Sequence, residues 1–175
     1  MNVSLIYGPT ERELELCKRA VWITMGNTKR PKKPMTDELL HKLLRARHSP
    51  IRVLNYAFLI EGIPSNISTH LARHVHATPF VSSLRNDRQS RMDGDAAPRN
   101  TPVDMIYYVN AEELMVIANK RLCAKASTKT REVVQLMCQE ARKVTPALTG
   151  LLVPMCTYCG GVCHEIEPCG RAGNE

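Results

Sequence analysis

The stretch THLARHVHATPFVSSLRNDR, residues 69–88, concentrates arginine, histidine and hydroxyl side chains where a helical pattern gives way to an extended one. A 3.6-residue period places Leu71 and Val75 on one face of the predicted helix, and Arg73 and His74 turn away from that face. Such a group of side chains is a poor hydrophobic core and suits an anion. We therefore expect the fold to place a functional site at this junction between a helix and a strand.

Composition limits the class of protein. The chain has 175 residues, which suits one domain with a single core. The formal charge of +7 favours anionic partners such as phosphorylated small molecules, nucleic acid or acidic surfaces, without choosing among them. The first residues lack a basic leader with a long apolar run, and no segment approaches the ~20 apolar residues of a membrane span. We therefore expect a cytoplasmic protein without a membrane segment.

Hydrophobic periodicity and capping residues predict strands and helices on both sides of this stretch. Strands are expected at 3–7, 52–60 and 105–109, and helices at 10–25, from Thr36, from Pro64, at 110–126, from Thr128 or Thr130 to Pro146, and at 147–153. The basic loop 27–34 is either a solvated connection or a contact for phosphate or nucleic acid, and we assign it no function. The pattern predicts an α+β domain at 1–153, with helices packed on a small mixed or antiparallel sheet of unknown strand order, and a cysteine-rich tail at 154–175.

The same stretch resembles the signature R-H-R-x-x-S-x-N-E-x-S-x-R of the flavin-dependent thymidylate synthases. Without a gap, five positions match it, one of them conservatively: Arg73, His74, Thr78, Ser83 and Arg85. Three positions depart from it, because Val75 replaces a basic residue, Phe80 an asparagine and Val81 a glutamate. The segments before and after also resemble that family, and the likeness covers about residues 36–145. Among these segments, NKRL at 119–122 is similar to the N-x-R-x-L element, and REV at 131–133 to a later W-E-I segment.

The resemblance implies an α+β homotetramer whose flavin and nucleotide sites are assembled from several subunits. It implies FAD as the cofactor, dUMP as the substrate, methylenetetrahydrofolate as the one-carbon donor and NADPH as the reductant of the flavin. No cysteine of the enzyme has to attack the base in that chemistry, which agrees with a candidate site rich in arginine, histidine and serine.

Site residues follow from the matched positions. Arg85 and Ser83 are predicted to bind dUMP at the reaction centre, because a guanidinium fork pairs well with phosphate or a pyrimidine carbonyl; an exposed ion-pair cluster of Arg85 with Asp87 and Arg88 is the alternative. Arg88 and His70 are further substrate candidates. Arg131 is a candidate to polarise the uracil carbonyl, with Lys125 or a solvated helix face as alternatives. The predicted flavin contacts are Arg73, His74, Asn119 and Arg121.

The tail carries a separate signal. Its spacing C-x2-C-x3-C-H-x4-C can supply four thiolates to a tetrahedral metal ion. The preferred structural zinc ligands are Cys156, Cys159, Cys163 and Cys169, with His164 as a substitute, and free thiols or an iron–sulfur cluster are the alternatives. This prediction rests on spacing alone, since the tail lies outside the family resemblance.

Two classes of function remain open from the sequence. The first is a divergent flavin-dependent enzyme that transfers a one-carbon unit to a pyrimidine deoxynucleotide, with dUMP as the default and a dCMP-directed or hydroxymethylating relative as the variant. The second is a zinc-stabilised nucleic-acid-binding module that uses the basic loop and the arginine-rich segment. Low aromatic content argues against base stacking, but it leaves phosphate binding open.

Overall fold

The structure is a computed structural model, and it describes residues 1–87, 93, 94 and 96–170. Within these residues, four strands form one antiparallel sheet in the order β1-β2-β4-β3. The strands are β1 (Asn2–Tyr7), β2 (Asn55–Pro64), β3 (Ala77–Val81) and β4 (Pro102–Asn110). The predicted α+β class is confirmed, and the sheet is the antiparallel alternative.

Helices connect and cover the strands. They are α1 (Glu11–Thr24), α2 (Asp37–Arg45), α3 (Ser65–Ala72), α4 (Ala111–Arg121), α5 (Thr128–Val144) and α6 (Met155–Tyr158), with short 3-10 helices at Ser49–Val53 and Pro146–Leu148. In the part of the chain that the structure describes, no helix is both long and apolar enough to cross a membrane.

Capping residues explain why most helix starts could be predicted. Thr10 and Glu13 form a reciprocal capping box at α1, since the Thr10 hydroxyl accepts from the Glu13 amide and the Glu13 carboxylate accepts from the Thr10 amide. Side chains of Thr36 and Asn110 likewise accept from backbone amides at the starts of α2 and α4. These bonds satisfy amides that have no partner inside a helix.

Several predicted boundaries are wrong. The strand expected from 52 begins at Asn55, because a 3-10 helix with Pro50 in its first turn runs from Ser49 to Val53. Helix α4 ends at Arg121 rather than near 126, since residues 122–127 form the turn before α5. The short helix expected at 147–153 is only the 3-10 turn Pro146–Leu148.

Val75 does not continue the apolar face of Leu71. Helix α3 ends at Ala72, and Val75 is 84% exposed.

The core lies on one face of the sheet. Alternate residues of β4 are buried beneath the helices, namely Val103, Met105, Tyr107 and Val109. The opposite face carries three exposed large side chains on neighbouring strands, Phe80, Ile106 and Tyr108. Phe80 and Ile106 are directly paired between β3 and β4. We call these three residues the apolar strip.

Candidate functional site

The end of α3 is held firmly against the sheet. Arg73 caps the helix, and the amide of His74 donates to the Leu71 carbonyl oxygen at 3.1 Å. The buried Tyr107 hydroxyl of β4 donates to the same oxygen at 3.0 Å. The chain then turns into β3, with the Ala77 amide donating to the His74 carbonyl. The predicted junction therefore exists, and β4 fixes its position.

A cavity of about 570 Å³ opens beside α3 and β3. Two predicted site residues, His70 and Arg73, line it. The wall also includes Ser82 and Leu84 from the segment after β3, and Arg99 from the segment before β4. Arg99 is anchored through its backbone, because its carbonyl oxygen accepts from the Ser65 hydroxyl at 2.7 Å. Two guanidinium groups and several polar side chains thus face one space, which suits a phosphate-bearing ligand.

His74 is buried instead of facing the cavity. The Arg121 Nε–H donates to His74 Nε2 at 3.1 Å, so that nitrogen must accept. The proton therefore sits on Nδ1, which lies 3.0 Å from Glu113 Oε1 and donates to it. Both ring nitrogens are used within the chain, and the side chain is neutral.

Electrostatics favour the same state of His74. Burial lowers its pKa below the ordinary value of 6.5, the hydrogen bond to Glu113 opposes this shift, and the Arg121 charge reinforces it. His74 and Glu113 are only 7% and 6% exposed. The pair therefore ties the turn after α3 to the first turn of α4, and it positions Arg73 indirectly.

A second set of bonds links the cavity to α5. His70 Nδ1 lies 3.1 Å from the buried Thr130 hydroxyl. Arg121 also donates from Nη2 to the His70 carbonyl oxygen at 3.2 Å. Arg121 thus contacts two of the predicted site residues, and the structure brings His70, His74 and Arg121 together.

Ser83 lies between Ser82 and Leu84 of the cavity wall, and Arg85 follows directly after it. The Arg85 amide donates to the Ser83 hydroxyl at 3.2 Å, and the Arg85 guanidinium makes two bonds, of 2.8 and 2.9 Å, with the Asp87 carboxylate. This is the exposed ion pair considered as an alternative from the sequence. Arg88, the further substrate candidate, lies outside the described residues.

A close backbone contact shapes this segment. A Cβ atom on Gly94 would lie only 1.9 Å from the Leu84 carbonyl oxygen. The Gly94 amide also donates to the Asn86 side-chain oxygen at 2.5 Å. Glycine is therefore required at 94 for the two segments to approach each other as they do.

Asn119 and Arg131 do not line the α3 cavity. Asn119 is 1% exposed, accepts from the Arg47 guanidinium, and donates to the Val153 carbonyl oxygen at 2.7 Å. Arg131 donates to the Ala124 carbonyl oxygen at 3.2 Å. Lys125, its alternative, donates to the Glu167 carbonyl oxygen at 2.5 Å. These contacts hold the α4–α5 turn and the tail within a single subunit.

The structure does not support the predicted zinc site. Among residues 1–87, 93, 94 and 96–170, no three His, Cys, Asp or Glu side chains are placed to hold a metal ion. Cys156, Cys163 and Cys169 line a cavity together with Cys123, but Cys159 does not. Cys159 follows the last residue of α6, and its Sγ lies 3.7 Å from the sulfur of Met155, the first residue of that helix. The spacing alone could not reveal this, because the helical turn Met155–Tyr158 decides where the sulfur atoms lie.

Sequence reasoning missed three residues of this region. Glu113 lies at the start of α4 without any motif signal, yet it pairs with His74, 39 positions away. Thr130 was considered only as a helix start, and it also contacts His70. Arg99 carried no motif signal. Each of these contacts depends on long-range packing, for which a single sequence offers no local pattern.

The similarity of this chain to known proteins lies in its fold. No protein-family model and no curated protein sequence matches the chain. Among solved structures, a thymidylate synthase X from Helicobacter pylori with FAD and dUMP is 16% identical, with a TM-score of 0.64 over 80% of this chain and 93% of its own. A second structure of that enzyme, complexed with FAD and dUMP, is 17% identical, with a TM-score of 0.62 over the same shares of the two chains.

A third solved structure is described as a UMP/dUMP methylase, PolB from Streptomyces cacaoi bound with 5-Br dUMP. It is 17% identical, with a TM-score of 0.66 over 87% of this chain and 96% of its own. The sequence resemblance and these structural neighbours agree on the architecture. The chain therefore has the fold of the flavin-dependent thymidylate synthases.

Proposed function

We propose that this protein is a flavin-dependent enzyme that transfers a one-carbon unit from methylenetetrahydrofolate to a pyrimidine deoxynucleotide, with dUMP as the substrate. The observation that carries the proposal is the α3 cavity, where Arg73, Arg99 and His70 face one space at the position of the signature. The structural neighbours with FAD, dUMP and 5-Br dUMP support the same ligand class.

The two guanidinium groups of the cavity are available for a ligand. Among the described residues, no hydrogen bond or ion pair engages the side chain of Arg73 or Arg99. A charge-assisted bond to a phosphate oxygen contributes about 1.5–3 kcal/mol, which is roughly a 10- to 150-fold change in affinity. Arg73 and Arg99 therefore hold the phosphate groups of nucleotide or flavin, and Ser82 offers a hydroxyl beside them.

Ser83 and Arg85 contact the substrate in this proposal, as the matched motif implies. Arg85 then exchanges its exposed bonds with Asp87 for bonds to the nucleotide, which is feasible because an exposed ion pair contributes little, about 0–1 kcal/mol. Arg88 is proposed as a further phosphate contact, and Arg131 as the group that polarises the uracil carbonyl. Asn119, bonded to Arg47 and Val153 within this subunit, has to exchange one of those bonds to reach a flavin.

FAD, when bound, supplies hydride to the one-carbon adduct after its reduction by NADPH. The residues of this chain bind and orient the reactants. His74 remains neutral next to Arg73, and its hydrogen bonds to Glu113 and Arg121 hold the turn that carries Arg73. His70, fixed by Thr130, is available to donate or accept at the cavity wall.

The test uses the purified protein reconstituted with FAD. We expect flavin absorbance to remain after desalting, and dUMP to trigger oxidation of the reduced flavin in the presence of methylenetetrahydrofolate, whereas dCMP does not. Arg73→Met should weaken FAD binding about 10-fold or more, because it removes one charge-assisted contact to a flavin phosphate. Arg12→Met, which removes an exposed charge on α1, is the matched control. Absence of flavin and dUMP binding in the wild-type protein would reject the function.

The active form is proposed to be a homotetramer. The apolar strip supports association, because three large apolar side chains on adjacent strands remain exposed in the single chain. Ile106→Lys should lower the molecular mass measured by sedimentation velocity, whereas Ile166→Lys in the exposed tail should not. A monomeric wild-type protein would contradict this assembly.

A further inference from the structure

A second cavity, also of about 570 Å³, lies between α1 and the basic segment that follows it. It is separate from the α3 cavity, because the two share no lining residue. Its charged walls contain four cations and two carboxylates: Lys18, Arg30, Lys32, Lys33, Glu11 and Glu15. The mechanism proposed above does not use this cavity.

The local sequence leaves this positive charge unbalanced. Between Glu15 and Asp37, the chain has six Lys or Arg residues and no Asp or Glu. The carboxylate of Glu15 is already engaged, because it pairs with Arg30. Lys32 and Lys33 have no ion-pair partner within the described part of the chain. An anion entering the cavity therefore meets an excess of positive charge.

Lys18 makes the cavity more than an exposed basic patch. The residue is only 7% exposed, and its ammonium group donates to the carbonyl oxygens of Lys33 and Pro34 at 2.7 and 2.6 Å. The Nζ atom also lies 5.6 Å from the centre of the Trp22 ring. No carboxylate pairs with Lys18 among the residues that the structure describes.

A buried cation is unfavourable unless an opposite charge or full hydrogen bonding compensates it. An ammonium group has three donors, and the two carbonyl bonds leave one of them for a ligand. The ring face of Trp22 compensates part of the charge. A phosphate oxygen beside Nζ would use the third donor and neutralise the charge.

We propose that this cavity binds a nucleoside phosphate, with the phosphate at Lys18, Lys32 and Lys33. The volume suits a small ligand of this size. Leu14 and Met35 supply an apolar wall against which a base can pack. A small molecule fits better than a polymer, because the deciding cation lies inside the cavity and two carboxylates line the walls.

Trp22 offers a direct readout, since it is the sole tryptophan of the chain. The experiment titrates the full-length protein with ADP and follows tryptophan emission, with calorimetry as a second measurement. Adenosine tests the need for phosphate, and single-stranded oligo(dT) tests a nucleic acid as the ligand. We expect ADP to bind and to change the emission, adenosine to bind at least 10-fold more weakly, and the oligonucleotide not to compete.

Variants separate the cavity from general charge. Lys18→Met should weaken ADP binding about 10-fold, as expected for loss of one charge-assisted contact. Because Lys18 also holds the basic segment, the double variant K32M/K33M provides an independent test with that contact intact. Lys29→Met is the matched control, because Lys29 belongs to the same segment but does not line the cavity.

Arg73→Met distinguishes this site from the α3 cavity, since it should leave ADP binding unchanged whether or not dUMP binds there. The proposal is overturned if ADP does not bind, if Lys29→Met weakens binding as much as K32M/K33M, if Arg73→Met abolishes binding, or if oligo(dT) displaces ADP.

Discussion

Replacing Glu113 by alanine removes the carboxylate that accepts the hydrogen bond of the buried His74 ring. A hydrogen bond to an ionised group contributes about 1.5–3 kcal/mol, and loss of one buried methylene adds about 0.8 kcal/mol. Because both side chains are less than one-tenth exposed, solvent will not replace the bond fully. We expect the free energy of unfolding to fall by about 2–4 kcal/mol.

Urea denaturation followed by circular dichroism measures this change. In thermal denaturation, the melting temperature should fall by about 4–16 °C for a domain of this size. The matched control is Glu112→Ala. Glu112 is the neighbouring residue, and its ion pair with the exposed Arg52 should contribute little to the free energy of unfolding. The control thus separates the buried bond from a general effect of charge removal at the start of α4.

A double-mutant cycle with His74→Leu tests whether the two residues act as a pair. Their coupling energy should be about 1 kcal/mol or more, as expected for contacting residues in one network. A free energy of unfolding for Glu113→Ala within about 0.5 kcal/mol of the wild type, or additive effects of the two substitutions, would contradict a stabilising pair.

Three further predictions concern buried groups. Burial lowers the pKa of His74, so the unfolded chain takes up a proton first as pH falls below 6.5, and the free energy of unfolding should decrease below that pH. Denaturation curves at several pH values measure this dependence, which His74→Leu should flatten. Burial raises the pKa of the Cys17 thiol to about 11 and that of the Cys138 thiol to about 12, so a disulfide reagent at pH 8 should modify them only after denaturation. Fast modification in the folded protein would contradict their burial. Tyr56→Phe removes the 2.9 Å bond to the Thr145 hydroxyl and should lower the free energy of unfolding by about 1 kcal/mol, whereas an unchanged urea midpoint would show no net contribution.

Local interactions made much of the secondary structure predictable. Thr10, Thr36 and Asn110 each accept from an amide three residues ahead, so the signal for a helix start lies within one turn of sequence. The order of the strands could not be predicted this way. The pairing of β3 with β4, for example, joins Phe80 to Ile106, and no local pattern encodes that register.

The candidate site was predictable in location but not in detail. The match to the signature predicted Arg73 as a site residue, and the basic stretch around it added His70; both residues line one cavity. Periodicity wrongly extended α3 to Val75, and it also missed that His74 is buried, because Glu113 reaches it from a distant helix. The zinc prediction is not supported by the described residues, because cysteine spacing carries no information about where a short helix directs each sulfur.

The contact between Gly94 and Leu84 also limits natural sequence variation. Any other residue at 94 would place a Cβ atom against the Leu84 carbonyl, so the segment carrying Ser83 and Arg85 would have to take a different path. Distant homologues can therefore be sorted at this position: those with glycine can keep this wall of the cavity, and those with a side chain must have rebuilt it. A single residue outside the signature thus becomes a marker for how the signature arginine is presented.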